Sequence, residues 1–244
     1  MRPMITAIGL LLGWEILVWA TGLPPYILPP PSRVLVVMIE RHDLLLAEAL
    51  WTATEMILGL LLGLVLGGAL AVVFAASAGW RRWALPLVIV SQAIPVIAIA
   101  PLLVVWLGYG MASKVAMAAL VIFFPVVSTL YDGLRRTDPG WIDLARTMDA
   151  SPRATLMQIR LPAALPAFAS GARIAAAVAP IGAVIGEWVG ASAGLGYLMT
   201  LSLARGQTPL AFAALVVLCL LGLALYFATD RLARLLVPWQ SQGE

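Results

Sequence analysis

Six stretches of this chain are apolar over about the 20 residues that a helix needs to cross the hydrocarbon of a bilayer. They lie at roughly 4–22, 53–77, 84–108, 113–131, 164–188 and 208–236. Backbone inside lipid has no water to pair with, so each run has to close its hydrogen bonds internally as a helix. Of the 244 residues 62% are hydrophobic and 11% charged, where soluble domains carry about 25% charged residues. The expected fold is therefore an all-α integral membrane protein with six transmembrane helices. The last run is long enough to tilt or to continue past the membrane.

Arg2 followed by an apolar run imitates a signal peptide, but Trp14, Glu15 and Trp19 interrupt it and no small-x-small cleavage site follows. A retained first helix is expected. Orientation comes from the basic residues, which favour the cytoplasmic side. With the N-terminus inside, ten arginines fall inside: Arg2, Arg81, Arg82, Arg135, Arg136, Arg146, Arg153, Arg160, Arg231 and Arg234. Four basic residues fall outside, namely Arg33, Arg41, Lys114 and Arg205, and Arg173 lies within a run. Both termini are expected in the cytoplasm. The net charge of +3 follows from this bias and carries no nucleic-acid signal. The lone Cys219, in the last run, rules out an intrachain disulfide and reads as a small core residue.

Residues 23–34, LPPYILPPPSRV, read as a stiff extended connector into a short helix around Val34–Trp51. Gly59, Gly63, Gly67, Ala71 and Ala75 recur every four residues, a stripe that lets helices approach closely in lipid. The pattern leaves open whether the partner helix belongs to the same subunit or to a second copy. Pro95, Pro101, Pro125 and Pro180 each remove a helix hydrogen bond and permit a kink. Trp80 and Trp83 at one edge, with Trp106 and Tyr109 at the other, read as interfacial anchors.

Between the fourth and fifth runs lies a polar segment, DPGWIDLARTMDASPRATLMQIRLP, at 138–162. Asp138-Pro139 and Ser151-Pro152 each pair a capping side chain with proline at the first helical position. Trp141, Leu144 and Met148 fall at i, i+3 and i+7, one apolar face, with Asp143 and Arg146 off that stripe. Two short helices are expected on the inner face of the membrane, the second ending at Leu161-Pro162.

Asp143-Leu144-Ala145, Asp149 four residues after that alanine, Ile159 and Leu161-Pro162 resemble the EAA loop. That motif, E-A-A, three residues, G, nine residues and I-x-L-P, marks the permease subunits of bacterial ABC importers. The chain departs from it with Asp143 for the glutamate, Leu144 at the second position and Asp149 for the glycine. A residue at that last position has to take a left-handed conformation, which aspartate tolerates better than most. The likeness extends over most of the chain and looks strongest to the nitrate, sulfonate and taurine branch. GEWVGASAGLGYLM at 186–199 and ALYFATDRLARLLVPW at 224–239 look similar to permeases for hydroxymethylpyrimidine, a thiamine precursor.

The resemblance implies a type I importer permease fold and a division of labour. The permease forms the path in the lipid membrane, as a homodimer. Cytoplasmic ATP-binding subunits dock under the loop, and an extracytoplasmic substrate-binding protein delivers the solute. It assigns coupling to Asp143, Leu144, Ala145, Arg146, Asp149, Ala150, Ser151, Ile159, Leu161 and Pro162. The chain has no G-x-x-x-x-G-K-[ST] phosphate loop, so ATP hydrolysis falls to a partner, and no cofactor is implied.

Glu15, Arg173 and Glu187 are charges inside apolar runs, where such residues face a cavity or a partner. Glu15 reads as a structural hydrogen-bonding residue. Arg173 and Glu187 are 14 positions apart, roughly 21 Å along a helix, and so cannot pair within one span. Glu187, loosened by Gly186, Gly190 and Gly194, is expected to line the outer path, with Arg173 and Pro180 as further path candidates. An enzyme needs clustered ligands or an acid–base pair, and the single His42 and single Cys219 supply neither. An ion-coupled transporter or channel is the remaining alternative class.

Overall fold

The computed structural model describes the backbone of residues 2–239 and the side chains of all of these except 2–4 and 7. Among the described residues every regular element is helical. In order they are α1 (Arg2–Thr21), α2 (Pro31–Glu40), α3 (His42–Ala76), α4 (Ala78–Ser91), α5 (Val96–Leu107), α6 (Met111–Arg135), α7 (Pro139–Thr147), α8 (Pro152–Ala154), a π-helical turn (Thr155–Arg160), α9 (Leu161–Trp188), α10 (Leu195–Ala204) and α11 (Thr208–Leu236).

Among the described residues, four helical stretches are long and apolar enough to cross a membrane: α3, α6, the continuous 152–188 and α11. The run expected as one span at 84–108 is instead α4 and α5, bent by 102° at a short break, and makes a fifth if the pair is one span. The break has a local cause. Pro95 offers no N–H and pushes the residue before it out of the helical region, so the chain turns and restarts with Pro95 as the cap of α5. The expected run 4–22 coincides with α1, a helix of 20 residues whose apolar stretch among the described residues is Ile8–Thr21.

The helix expected at Val34–Trp51 is split. Arg41, with φ −114° and ψ 22°, closes α2, and His42 opens α3, which runs on for 35 residues. The α2 N-terminus begins at consecutive prolines and has no cap of its own. Glu15 of α1 supplies it, accepting from Ser32 N–H at 3.0 Å and from the Ser32 hydroxyl at 2.8 Å. This is the structural role expected of Glu15.

The core is a slab of three helices with α6 in the middle. The small-residue stripe of α3 meets α6 of the same subunit. A Cβ added at Gly63 would lie 2.5 Å from Ile122 Cγ2, and one at Gly67 would lie 2.9 Å from the Phe123 carbonyl and Val126 Cβ. Gly59 is pressed equally hard against Ala118. The other side of α6 packs on α9 in the same way: a Cβ at Gly133 would stand 2.6 Å from Ala167 Cβ, and one at Gly182 2.6 Å from Ala118 Cα. Lipid tails are as apolar as leucine, so such close van der Waals approach is what holds helices together there. Cys219 is exposed on α11 and is not a core residue.

Gly63→Ala is expected to destabilise the permease by about 1–3 kcal/mol, the usual cost of overpacking. Thermal unfolding in detergent measures it. Adding Ile122→Ala should recover part of the loss, because the clash is with that side chain.

Candidate functional site

Two constellations stand at opposite ends of α9. The first is the segment 138–162. Asp138 caps α7 by accepting from Gly140 N–H at 2.7 Å, with Pro139 at the first helical position. Trp141, Leu144 and Met148 are 54%, 60% and 74% exposed, so the predicted apolar face is uncovered within the subunit. Ala145, beneath it, is buried. Asp143 and Arg146 form an exposed ion pair at 2.8 Å. Leu144 and Met148 form one wall of a cleft of about 410 Å³, and Ile159 and Pro162 lie across from them with Trp239.

Asp149 has φ 53° and is the one non-glycine residue with positive φ among the described residues. Its N–H bonds the Arg146 carbonyl, and Ala150 N–H reaches back to Ala145 at 3.0 Å. That pair of bonds is the Schellman termination, which needs a left-handed residue where Asp149 stands. Ser151 then caps the next helix by accepting from Ala154 N–H at 3.2 Å. This second helix does not end at Leu161-Pro162 as expected. It passes through the π-helical turn Thr155–Arg160 directly into α9. Pro162 lacks an N–H and its ring crowds the carbonyl four residues back, and a widened turn just before it accommodates both.

The second constellation surrounds Glu187, which is 1% exposed. Its carboxylate accepts from the Thr52 hydroxyl at 2.6 Å and from Gly196 N–H. Thr52 in turn accepts from Leu195 N–H at 2.8 Å, and Glu48 accepts from Gly194 N–H at 2.5 Å. Three consecutive amides opening α10 are thus held by three side chains, two of them on α3. Glycine is required here: Gly194 has φ 109°, and a Cβ on it would collide with the Glu187 carboxylate. Lys114 of α6 donates to the Gly190 carbonyl at 2.9 Å and to the Tyr109 carbonyl at 3.1 Å. Glu55, 4% exposed, lies beside Glu187.

In this arrangement Glu187 is enclosed within the subunit and, with Thr52 and Glu48, clamps the start of α10. The other two path candidates lie elsewhere on α9. Arg173 pairs with Asp230 of α11 at 2.6 Å, and Asp230 also pairs with Arg234 at 2.9 Å. Pro180 packs against Gly222 of α11. Glu55 and Lys114 lie in the apolar runs 53–77 and 113–131, so the intramembrane-charge signal that picks out Glu187 points to them as well. Glu48 and Thr52 carry no such signal, because only the fold brings them to the 194–196 amides.

Among the described residues, long apolar helices packed as one body define an all-α integral membrane protein, with an uncovered apolar helix face at one end. Residues 56–242 match the family model described as binding-protein-dependent transport system inner membrane component, and the chain belongs to this family, as a permease subunit of a bacterial ABC importer. It is 50% identical over 230 residues to a probable ABC transporter permease protein of Haemophilus influenzae, covering 94% of each chain. It is 37% identical to the formylaminopyrimidine transport permease protein ThiX of Halalkalibacterium halodurans, over 99% of this chain and 97% of that one. With the riboflavin transport system permease protein RibX of Chloroflexus aurantiacus it shares 36% identity, over 97% and 89% of the two chains. Permeases named for aliphatic sulfonates and for taurine place it in the nitrate, sulfonate and taurine branch. Its fold matches the inward-facing MetNI methionine ABC transporter with a TM-score of 0.70 at 22% identity, over 81% of this chain and 98% of that one.

Thr52→Val removes both the donor to Glu187 and the acceptor for Leu195 N–H. Leaving these groups unpaired should cost about 1–3 kcal/mol. Hydrogen exchange should speed up at residues 194–197 while the α3–α6 core stays protected.

Proposed function

We propose that this chain forms the translocation path of an ATP-driven importer for a pyrimidine precursor of thiamine, such as hydroxymethylpyrimidine. The observation that carries the substrate class is the 37% identity to a formylaminopyrimidine permease along nearly the full length of both chains. The riboflavin permease, similar at 36%, is also named for a nitrogen heterocycle. Import of sulfonate, taurine or nitrate by the same machinery is less well supported, since the relatives named for sulfonates and taurine are 26% and 27% identical.

In this reading the segment 138–162 faces the cytoplasm and receives the ATP-binding subunits. Asp143, Leu144, Ala145, Arg146, Asp149, Ala150, Ser151, Ile159, Leu161 and Pro162 form or shape the socket. Two things support it: the ten-to-four bias of basic residues and the uncovered apolar face of α7 beside a cleft. A substrate-binding protein delivers the solute at the opposite face, where the Glu187 clamp lies. Arg173 and Pro180, on the α11 side of α9, serve the path through helix packing. The subunit works as a homodimer in lipid; α4 has no buried residue, which leaves the apolar surface of the bent pair for a second copy and for lipid.

Two outcomes are expected. Asp143→Arg and Arg146→Glu should each lose the copurifying ATPase subunits while the permease still inserts in the membrane; retention of the ATPase by both variants removes the docking assignment. The intact importer should take up radiolabelled hydroxymethylpyrimidine in an ATP-dependent way. Excess unlabelled pyrimidine should compete, and taurine or riboflavin should not. Competition by either of these in place of the pyrimidine overturns the substrate class.

A further inference from the structure

The π-helical turn holds a contact that the docking motif does not use. Arg160 occupies the variable position between Ile159 and Leu161. Its Nε and Nη2 donate to the Leu134 carbonyl at 3.2 and 2.9 Å, and its Nη1 donates to the Ala75 carbonyl at 3.5 Å. Leu134 lies in the last turn of α6 and Ala75 in the last turn of α3. These ends carry carbonyls without an intrahelical partner and the negative pole of the helix dipole. A guanidinium stays charged and presents several donors in a rigid plane, so one side chain can engage both ends together. Leu156, one turn earlier, is 7% exposed and packs in a cluster with Phe74, Tyr131 and Leu134. An apolar peg and a cationic strut therefore seat the turn on α3 and α6.

We propose that Arg160 is a positioning residue of the transport cycle, a strut that carries displacement of the dock to α3 and α6. This rests on the docking reading above. The dock runs into α9 as one helix and joins α6 through the three-residue link 136–138, but it has no chain connection to α3. Its side-chain contacts with the ends of α3 and α6 are the apolar Leu156 and Leu161 and the polar Arg160, none of which lines the cleft. Without the strut, displacement of the dock would still load α9 and α6 but would reach the end of α3 only through apolar contacts.

The test uses the full importer reconstituted in lipid nanodiscs and reads ATP hydrolysis with and without its ligand-loaded binding protein. Arg160→Met should retain the ATPase subunits and keep a basal rate within about two-fold, yet lose roughly ten-fold of the stimulation by the binding protein. Arg160→Lys keeps a donor for one carbonyl but cannot span both, and should lose about three-fold. Wild-type stimulation in both variants overturns the proposal. So does a parallel fall of basal and stimulated rates, or failure of both variants to assemble, because these mark a folding role only. Asp143→Arg in the same assay reports on the dock: if it keeps its ATPase subunits, the docking reading fails, whereas a wild-type Arg160→Met fails only the strut.

Discussion

The structure depends on how closely α6 lies against both α3 and α9. Where lipid removes the hydrophobic drive between helices, small residues decide which pairs touch. Ala118 shows the constraint most sharply, since Gly59 approaches it from α3 and Gly182 from α9. No larger residue fits at either position without moving a backbone. The polar clamp depends on the same closeness. Lys114 leaves α6 beside Gly186 and reaches the connector, and Thr52 and Glu48 of α3 reach the α10 amides.

Much of this was legible in the sequence. Apolar runs located most of the helices, and the Asp138-Pro139 and Ser151-Pro152 pairs located the caps. The four-residue stripe of α3 announced tight packing, though not its partner: Gly63 looks alike whether it meets Ile122 of its own chain or a second copy. Pro95 signalled distortion, but a proline cannot say whether the chain bends slightly or turns by 102°, because that depends on what α4 and α5 pack against. Leu161-Pro162 read as a stop because proline usually ends a helix; the π-helical turn that absorbs it has no sequence signature of its own.

The polar sites divide the same way. The left-handed Asp149 followed from motif spacing and the few residues that tolerate positive φ. Glu187 was visible as a charge in an apolar run, but the two other side chains that hold the α10 amides, Glu48 and Thr52, lie over 130 positions earlier. Contact at that separation is set by tertiary packing. Arg173 shows the converse, a visible charge whose partner, Asp230, lies 57 positions ahead on α11.

The uninterrupted helix from Pro152 to Trp188 has a mechanical meaning. At 37 residues it is a rod on the order of 50 Å long. The proposed dock lies at one end and the Glu187 clamp at the other, and the helix continues unbroken through Pro166 and Pro180. A rigid rod of that length amplifies rotation: a tilt of about 10° sweeps its far end through roughly 9 Å. If ATPase subunits engage the 138–162 end as proposed, small angular motions there become displacements the width of a small organic molecule at the opposite face.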